Sequence, residues 1–323
     1  MELNFILGGR HYSLLSFSPG AGLYKRPDEL VPVFASTAME PMLGSITRFP
    51  RVGNTGGDIF YYDEETDNSV NSLGLPNAGW EEYKKVIPAL VEQAKQAGKK
   101  LRVSFSGFSR EDFLIPIREL IALLVKINGC AWVIIEINLS CPNTVDTSGK
   151  HHELIAYNPE LVQAIMHGLY GEASGRLPLA FKFSPYDVAE KLDREVRQAI
   201  CDGINADTAV YAGPIELVCG NTKGKQTMFR PDGRPALGVT NNMGGLAGKK
   251  LKPLNLENTA FFRTNLRTRH TIVGSGGVTC ADDIFDYLVA GANKVQSTGF
   301  VAHYGLRALG PIFQNLADLA EAA

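Results

Sequence analysis

The chain lacks the features that would place it in most specialised classes. Its longest apolar stretches, such as Ala131–Ile137, fall far short of the roughly 18–20 residues a membrane span needs. No basic block of five or more residues occurs, and the formal charge is 32 − 34 = −2, so nucleic acid is not an expected partner. The five cysteines (Cys130, Cys141, Cys201, Cys219, Cys280) are odd in number, scattered and without a CxxC pair. That pattern suits free thiols in a reducing compartment better than a disulfide frame or a zinc site. The opening MELNFILGGR shows no basic segment leading into a long apolar one, so no secretory signal is expected and the location is read as cytoplasmic. Repeats and low-complexity segments are missing, as is a GxGxxG in the first strand–helix unit.

What the chain has in excess is glycine. There are 33 in 323 residues, against a usual share of about 7%. Apolar residues at 45% and charged residues at 20% are ordinary for a globular protein, so the glycines are read as tight turns or close approaches to a ligand. Short, nearly continuous apolar runs at Leu101–Phe105, Ala131–Asn138, Leu177–Phe183, Ile215–Gly220, Thr271–Gly274 and Lys294–Ser297 predict strands buried on both faces. Helical patterns at 80–97, 111–126, 158–170, 186–203, 256–267, 281–290 and 311–321 lie between or beyond them, with a kink predicted at Pro88 and Pro311 suited to a first helical turn. This alternation predicts a parallel α/β sheet, either doubly wound or closed into a barrel. Two small-residue loops on consecutive strands near the C-terminus, Gly274–Gly277 and Gln296–Gly299, match the phosphate site of (β/α)8 TIM barrels and favour closure. The 323 residues then read as one barrel domain with an N-terminal hairpin and an inserted active-site loop region.

The most distinctive segment is EINLSCPN, Glu136–Asn143, where a strand runs into a polar loop carrying Cys141. A cysteine in such a loop can serve as base or nucleophile, whereas the other four fit structural roles. INLSCPN closely resembles the signature of the dihydroorotate dehydrogenases, specifically the class 1 enzymes that use cysteine as base. The resemblance spans roughly residues 13–320. It includes NSLGLPN (Asn71–Asn77), FKFSPY (Phe181–Tyr186), GNTKG (Gly220–Gly224), NMGGLAGKKLKP (Asn242–Pro253) and IVGSGGV (Ile272–Val278).

The resemblance implies an FMN-dependent oxidation of dihydroorotate to orotate with Cys141 as general base. It implies a substrate site of Asn71, Leu73, Gly74, Leu75, Asn138, Asn143, Asn221 and Thr222. Gly20, Ser45, Lys182, Thr222, Gly244, Gly245, Gly276, Gly277, Thr298 and Gly299 would hold FMN, with no metal. Amide side chains suit a ring bearing alternating C=O and N–H groups. The likeness is to the single-chain, fumarate-using, homodimeric type rather than to the membrane-bound, quinone-linked class.

Three departures stand out. Gly44 occupies the place of a family lysine that touches flavin and substrate carboxylate, leaving Arg48, Lys223 and Lys225 as candidate substitutes. The loop after Asn143 is longer and carries His151 and His152, which read as solvent-facing rather than as metal ligands. Pro19 stands at a normally small, polar flavin contact. Gly44 motivates an alternative substrate, another cyclic amide or enone lacking the carboxylate; a non-catalytic FMN-binding paralogue is a further alternative.

Overall fold

The computed structural model describes all residues except 1, 8–9, 37–38, 145–152, 174, 176, 207–214 and 322–323. Its strands are β1 (Leu3–Leu7), β2 (Arg10–Leu14), β3 (Ser16–Pro19), β4 (Met42–Ile46), β5 (Phe60–Asp63), β6 (Asn68–Asn71) and β7 (Leu101–Ser106). They continue with β8 (Val133–Asn138), β9 (Leu179–Lys182), β10 (Ile215–Cys219), β11 (Lys223–Gln226), β12 (Gly244–Gly248), β13 (Thr271–Ser275) and β14 (Lys294–Ser297). The helices are α1 (Val31–Ala35), α2 (Trp80–Gln96), α3 (Arg110–Lys126), α4 (Pro159–Ala173), α5 (Lys191–Ala206), α6 (Lys252–Asn265), α7 (Ala281–Val289), α8 (Gly299–Tyr304) and α9 (Leu309–Glu321).

Eight parallel strands run in the order β3-β14-β13-β10-β9-β8-β7-β4, and a parallel bridge between Phe17 and Met39 brings the two ends together. With helices flanking these strands, this is the (β/α)8 barrel that the paired glycine loops favoured. The hairpin β1–β2 precedes it, with Phe5 edge-on to Phe285 of α7 at 4.7 Å. The inserted region is built mainly as a second sheet, antiparallel in the order β11-β12-β6-β5, assembled from chain that follows β4 and chain that follows β10.

Two barrel strands escaped the sequence pattern. Both β3 (SFSP) and β4 (MLGSI) are short and interrupted by polar or small residues, so neither presents an apolar run. The register of β4 on β7 shifts between Leu43 and Ile46, a bulge that sits at Gly44–Ser45. The helix predicted from residue 186 starts at Lys191 instead. Hydrogen bonds hold the intervening turn: Tyr186 Oη donates to Ala156 C=O at 2.6 Å, and Asp187 N–H donates to Asp193 at 2.6 Å. Helix α2 runs uninterrupted through Pro88.

The barrel interior is ionic as well as apolar. Arg102 of β7 is fully buried, with Glu40 at 2.9 Å, Glu216 of β10 at 2.5 Å and Glu136 of β8 at 3.6 Å. Lys294 of β14 adds contacts of 2.6 Å to Glu216 and 3.4 Å to Glu40. Although burial opposes its charge, Arg102 together with Lys294 holds Glu216 down at about 2. Its ordinary value is near 4.5, so the stabilisation from this group is present above that pH and is lost as pH falls through about 2. Removing one partner of such a cluster leaves buried charge uncompensated. Arg102→Met is therefore expected to lower unfolding free energy by about 3–5 kcal/mol in urea titrations at pH 7. An unchanged unfolding midpoint would show that the cluster does not stabilise the barrel.

Candidate active site

The C-terminal ends of the barrel strands open into a cleft of about 250 Å³. A single water needs some 10–15 Å³ on this measure, so the cleft accommodates a ligand of many atoms. Strand ends supply much of its wall: Ser45 from β4, Asn138 from β8, Lys182 from β9, Gly220 after β10, Ser275 from β13 and Ser297 from β14. The antiparallel sheet contributes the rest of one side through Phe60, Tyr62, Asp67, Ser69, Asn71, Ala247 and Gly248. Catalytic groups of TIM barrels sit at this face because the loops there can vary while the strands beneath hold still.

The asparagines of the predicted substrate site are brought together in two linked pairs. Asn221 Nδ2 donates to Asn138 Oδ1 at 3.0 Å, and Asn143 Nδ2 donates to Asn71 Oδ1 at 2.7 Å. Asn221 also donates to Ser140 C=O at 3.0 Å and Asn138 Oδ1 also accepts from Ser140 N–H at 3.3 Å, so the capacity left for a ligand lies chiefly on Asn71 and Asn143. One pair continues downward. Asn138 Nδ2 donates to Ser45 Oγ at 3.1 Å, Ser45 Oγ lies 3.0 Å from Ser104 Oγ, and Ser104 Oγ donates to Glu136 Oε1 at 3.2 Å. Because Ser104 gives its proton to Glu136, Ser45 gives its own to Ser104. Every donor from Asn221 downward thus points toward the Glu136 carboxylate, and such a chain polarises cooperatively.

Cys141 lines the same cleft, half-buried, in the loop after β8. Burial pushes its thiol above the ordinary range, while the Asn143 backbone N–H and the charges of Lys25, Lys182 and Arg51 pull in the opposite direction. Lys182 is buried at the end of β9, and burial lowers its pKa despite the nearby Glu136. Among the described residues no carboxylate lies within ion-pair distance of Lys182 or Lys25.

Leu73, Gly74, Leu75 and Thr222 also line the cleft, and Arg51 Nε donates to Gly74 C=O at 3.1 Å. Gly276, Gly277, Thr298 and Gly299 form one glycine-rich end of it, with Gly276 and Gly277 at φ of +105° and +67°. A Cβ on Gly276 would stand 2.4 Å from Asn255 Nδ2, so only glycine lets this loop present its backbone to the cleft. Gly20, Gly244 and Gly245 lie outside the cleft wall. A Cβ on Gly20 would collide with Thr298 Oγ1, and one on Gly245 would meet Thr222 Oγ1 at 2.2 Å, so these two back cleft residues. Gly244 packs against Asn71 C=O. Pro19 ends β3, buried and outside the wall. His151 and His152 fall outside the described residues.

None of the three substitute cations foreseen for Gly44 forms part of the wall. Lys223 pairs with Asp187 at 3.0 Å, Arg48 stacks over Phe49 at 4.9 Å, and Lys225 is exposed. The cation that joins Lys182 in the cleft wall is Lys25. Sequence reasoning passed over it because β3, the strand before it, was not recognised. Phe60 and Tyr62 of β5 and Phe300 of α8 also line the cleft, and the two from β5 were missed because the second sheet had no apolar signature.

Comparison with known proteins accords with this geometry. The dihydroorotate dehydrogenase family model matches residues 15–319. The chain belongs to the dihydroorotate dehydrogenase family. A relative from Enterococcus faecalis, "Probable dihydroorotate dehydrogenase A (fumarate)", is 31% identical over 279 residues, covering 84% of this chain and 78% of the relative. "Dihydroorotate dehydrogenase (fumarate)" of Saccharomyces bayanus is 28% identical over 259 residues, covering 79% of this chain and 74% of the relative. Among solved structures, the Eimeria tenella DHODH in complex with ferulenol superposes with a TM-score of 0.73 at 17% identity, covering 99% of this chain and 85% of that one. It is a likeness of fold. As a family member the chain is a flavin-dependent dehydrogenase acting on CH–CH bonds. Among the described residues no helix is long and apolar enough to cross a membrane.

The position of Gly44 does not accommodate the lysine that the resemblance would place there. Its φ is +112°, and an added Cβ would stand 2.4 Å from Ser104 C=O. Gly44→Lys is expected to destabilise the protein by about 2 kcal/mol or more, read from urea unfolding. A variant as stable as the natural chain would mean that β4 relaxes freely at this bulge.

Proposed function

We propose that the protein, acting as one barrel domain, oxidises dihydroorotate to orotate with FMN as cofactor, Cys141 as general base and fumarate as final acceptor. The observation that carries this reading is the placement of Cys141 in one cleft with two linked asparagine pairs, the buried Lys182 and the half-buried Lys25, neither lysine within ion-pair distance of a carboxylate among the described residues. The E. faecalis and S. bayanus relatives carry both dihydroorotate dehydrogenase and fumarate in their names, which supports the substrate and acceptor. On the same likeness we place the protein in the cytoplasm as a homodimer.

The residues present fit FMN. The glycine-rich end at Gly276–Gly277 and Thr298–Gly299 offers backbone that a phosphate can approach closely, and Gly22 leaves its Cβ direction open on the cleft wall. Ser45 and Lys182 would hold the polar edge of the ring, where the ammonium favours accumulation of negative charge. Bound there, FMN supplies the acceptor for the substrate's hydride.

This chain's own residues supply the rest. The asparagine pairs orient the pyrimidine ring through complementary donors and acceptors, and a substrate lacking one of these groups leaves a buried amide unsatisfied. Cys141, as thiolate, removes the proton from the carbon next to the one that gives up the hydride. The cations facing the thiol stabilise that thiolate, and burial opposes it. At neutral pH the thiol form prevails, so the proton-abstraction step gains rate as pH rises toward the thiol's elevated pKa. The half-buried Lys25 on the cleft wall favours a substrate that carries a carboxylate over the neutral cyclic amide or enone that Gly44 suggested.

The purified protein is expected to be yellow, and anaerobic dihydroorotate is expected to bleach it. A colourless protein that cannot be reconstituted with FMN would overturn the reading. Cys141→Ala is expected to slow bleaching by roughly 10²–10⁴ and to flatten its alkaline rise, measured by stopped-flow absorbance. An undiminished bleaching rate in that variant would remove Cys141 from the mechanism.

A further inference from the structure

Lys25 lies between β3 and α1, in a segment laced to β4 by two backbone hydrogen bonds. Gly22 N–H donates to Gly44 C=O at 2.7 Å, and Gly44 N–H donates to Tyr24 C=O at 3.0 Å. On the other flank, Glu29 Oε2 accepts from the N–H groups of Lys25 and Arg26 at 2.7 Å and 2.9 Å. The backbone of Lys25 is thus held from both sides, and its side chain runs into the cleft, where Nζ donates to Ser45 C=O at 3.2 Å.

The ammonium is poorly compensated. Ser45 C=O supplies a single neutral acceptor, whereas an ammonium has three donors to satisfy. Burial drags the Lys25 pKa down to about 8, and Cys141 and Glu29 offset this only in part. A cation in this state lacks a counter-charge, and an anionic group of a ligand beside Ser45 would supply one. Other cations near the cleft are differently engaged: Arg51 donates to Gly74 C=O and lies over the Phe108 ring at 4.9 Å, while Lys182 lies close to the charge of Glu136.

Gly44 accounts for the unusual origin of this cation. The position next to Ser45 has no room for any side chain, because its Cβ direction runs into Ser104 C=O. The segment after β3 crosses to β4 at that point and brings an ammonium to Ser45 from outside the strand.

We propose that Lys25 receives the substrate's carboxylate beside Ser45 and sets the preference of this cleft for an anionic ring over a neutral one. The inference rests on the reading of the substrate as dihydroorotate and assigns the specificity of that site to a residue outside the barrel strands.

The test compares binding of orotate and orotate methyl ester, the same ring with its charge removed, by isothermal titration calorimetry. It uses the FMN-loaded full-length protein and its Lys25→Met, Lys25→Gln and Lys25→Arg variants, each checked by thermal melting. The unaltered protein is expected to prefer orotate by about 10- to 100-fold, the range of one charge-assisted contact. Both neutral variants are expected to bring the two ligands within about threefold of each other by weakening orotate, and Lys25→Arg to retain most of the preference. Lys25→Gln keeps a donor for Ser45 C=O, so it serves if Lys25→Met fails to fold. A preference that survives in a folded neutral variant would overturn the proposal, as would equal weakening of both ligands. An unaltered protein that does not favour orotate over its ester would overturn the substrate reading as well, and this is seen before any substitution is made.

Discussion

The buried charge of Glu136 organises the molecule from the barrel interior to the cleft. A lone carboxylate in that interior would be prohibitively costly, and it is tolerated because Arg102 stands at 3.6 Å while Ser104 and Gln296 donate to it at 3.2 Å and 3.1 Å. Arg102 in turn ties Glu40 and Glu216 into the same cluster, so residues from β7, β8, β10 and β14 share one electrostatic unit. From Glu136 upward, hydrogen bonds run through Ser104, Ser45 and Asn138 to Asn221, all donated in one direction. The orientation of the amides at the cleft is therefore set from below.

The cleft combines this polar floor with an unusual balance of charge. Cys141 lies close to Lys25, Lys182 and Arg51, while burial opposes ionisation of both the thiol and the two lysines. A ligand's negative charge beside the two lysines would offset the burial that opposes theirs. Such a site is poised rather than satisfied, a common property of catalytic clefts. The bulge at Gly44–Ser45 contributes directly, since it turns Ser45 C=O toward Lys25 and Ser45 Oγ into the chain above Glu136.

Much of this was legible in the chain. EINLSCPN announced a strand end running into a cysteine-bearing loop, and the apolar continuity of six runs announced parallel strands covered on both faces. GSGG and QSTG announced consecutive glycine-bearing strand ends. These features are local, since strand burial and loop composition show in a few adjacent residues. The strands β3 and β4 were not legible because SFSP and MLGSI hide their role behind serine, glycine and proline. The second sheet was foreseen only as an inserted region, because the β6–β12 pairing that joins its two local strand pairs spans more than 150 residues of sequence.

By itself the sequence determined the barrel class, the family resemblance and the residue types standing at the strand ends, because these reside in short motifs and their order. Only the tertiary structure decided which further cation joins Lys182 in the cleft wall. Arg48, Lys223 and Lys225 are near the relevant motifs in sequence, yet one stacks on Phe49, one pairs with Asp187 and one is exposed. Lys25 belongs to no motif and reaches the cleft because β3 and β4 become neighbours when the barrel closes. Closure is a long-range event, and the position of Lys25 is one of its consequences.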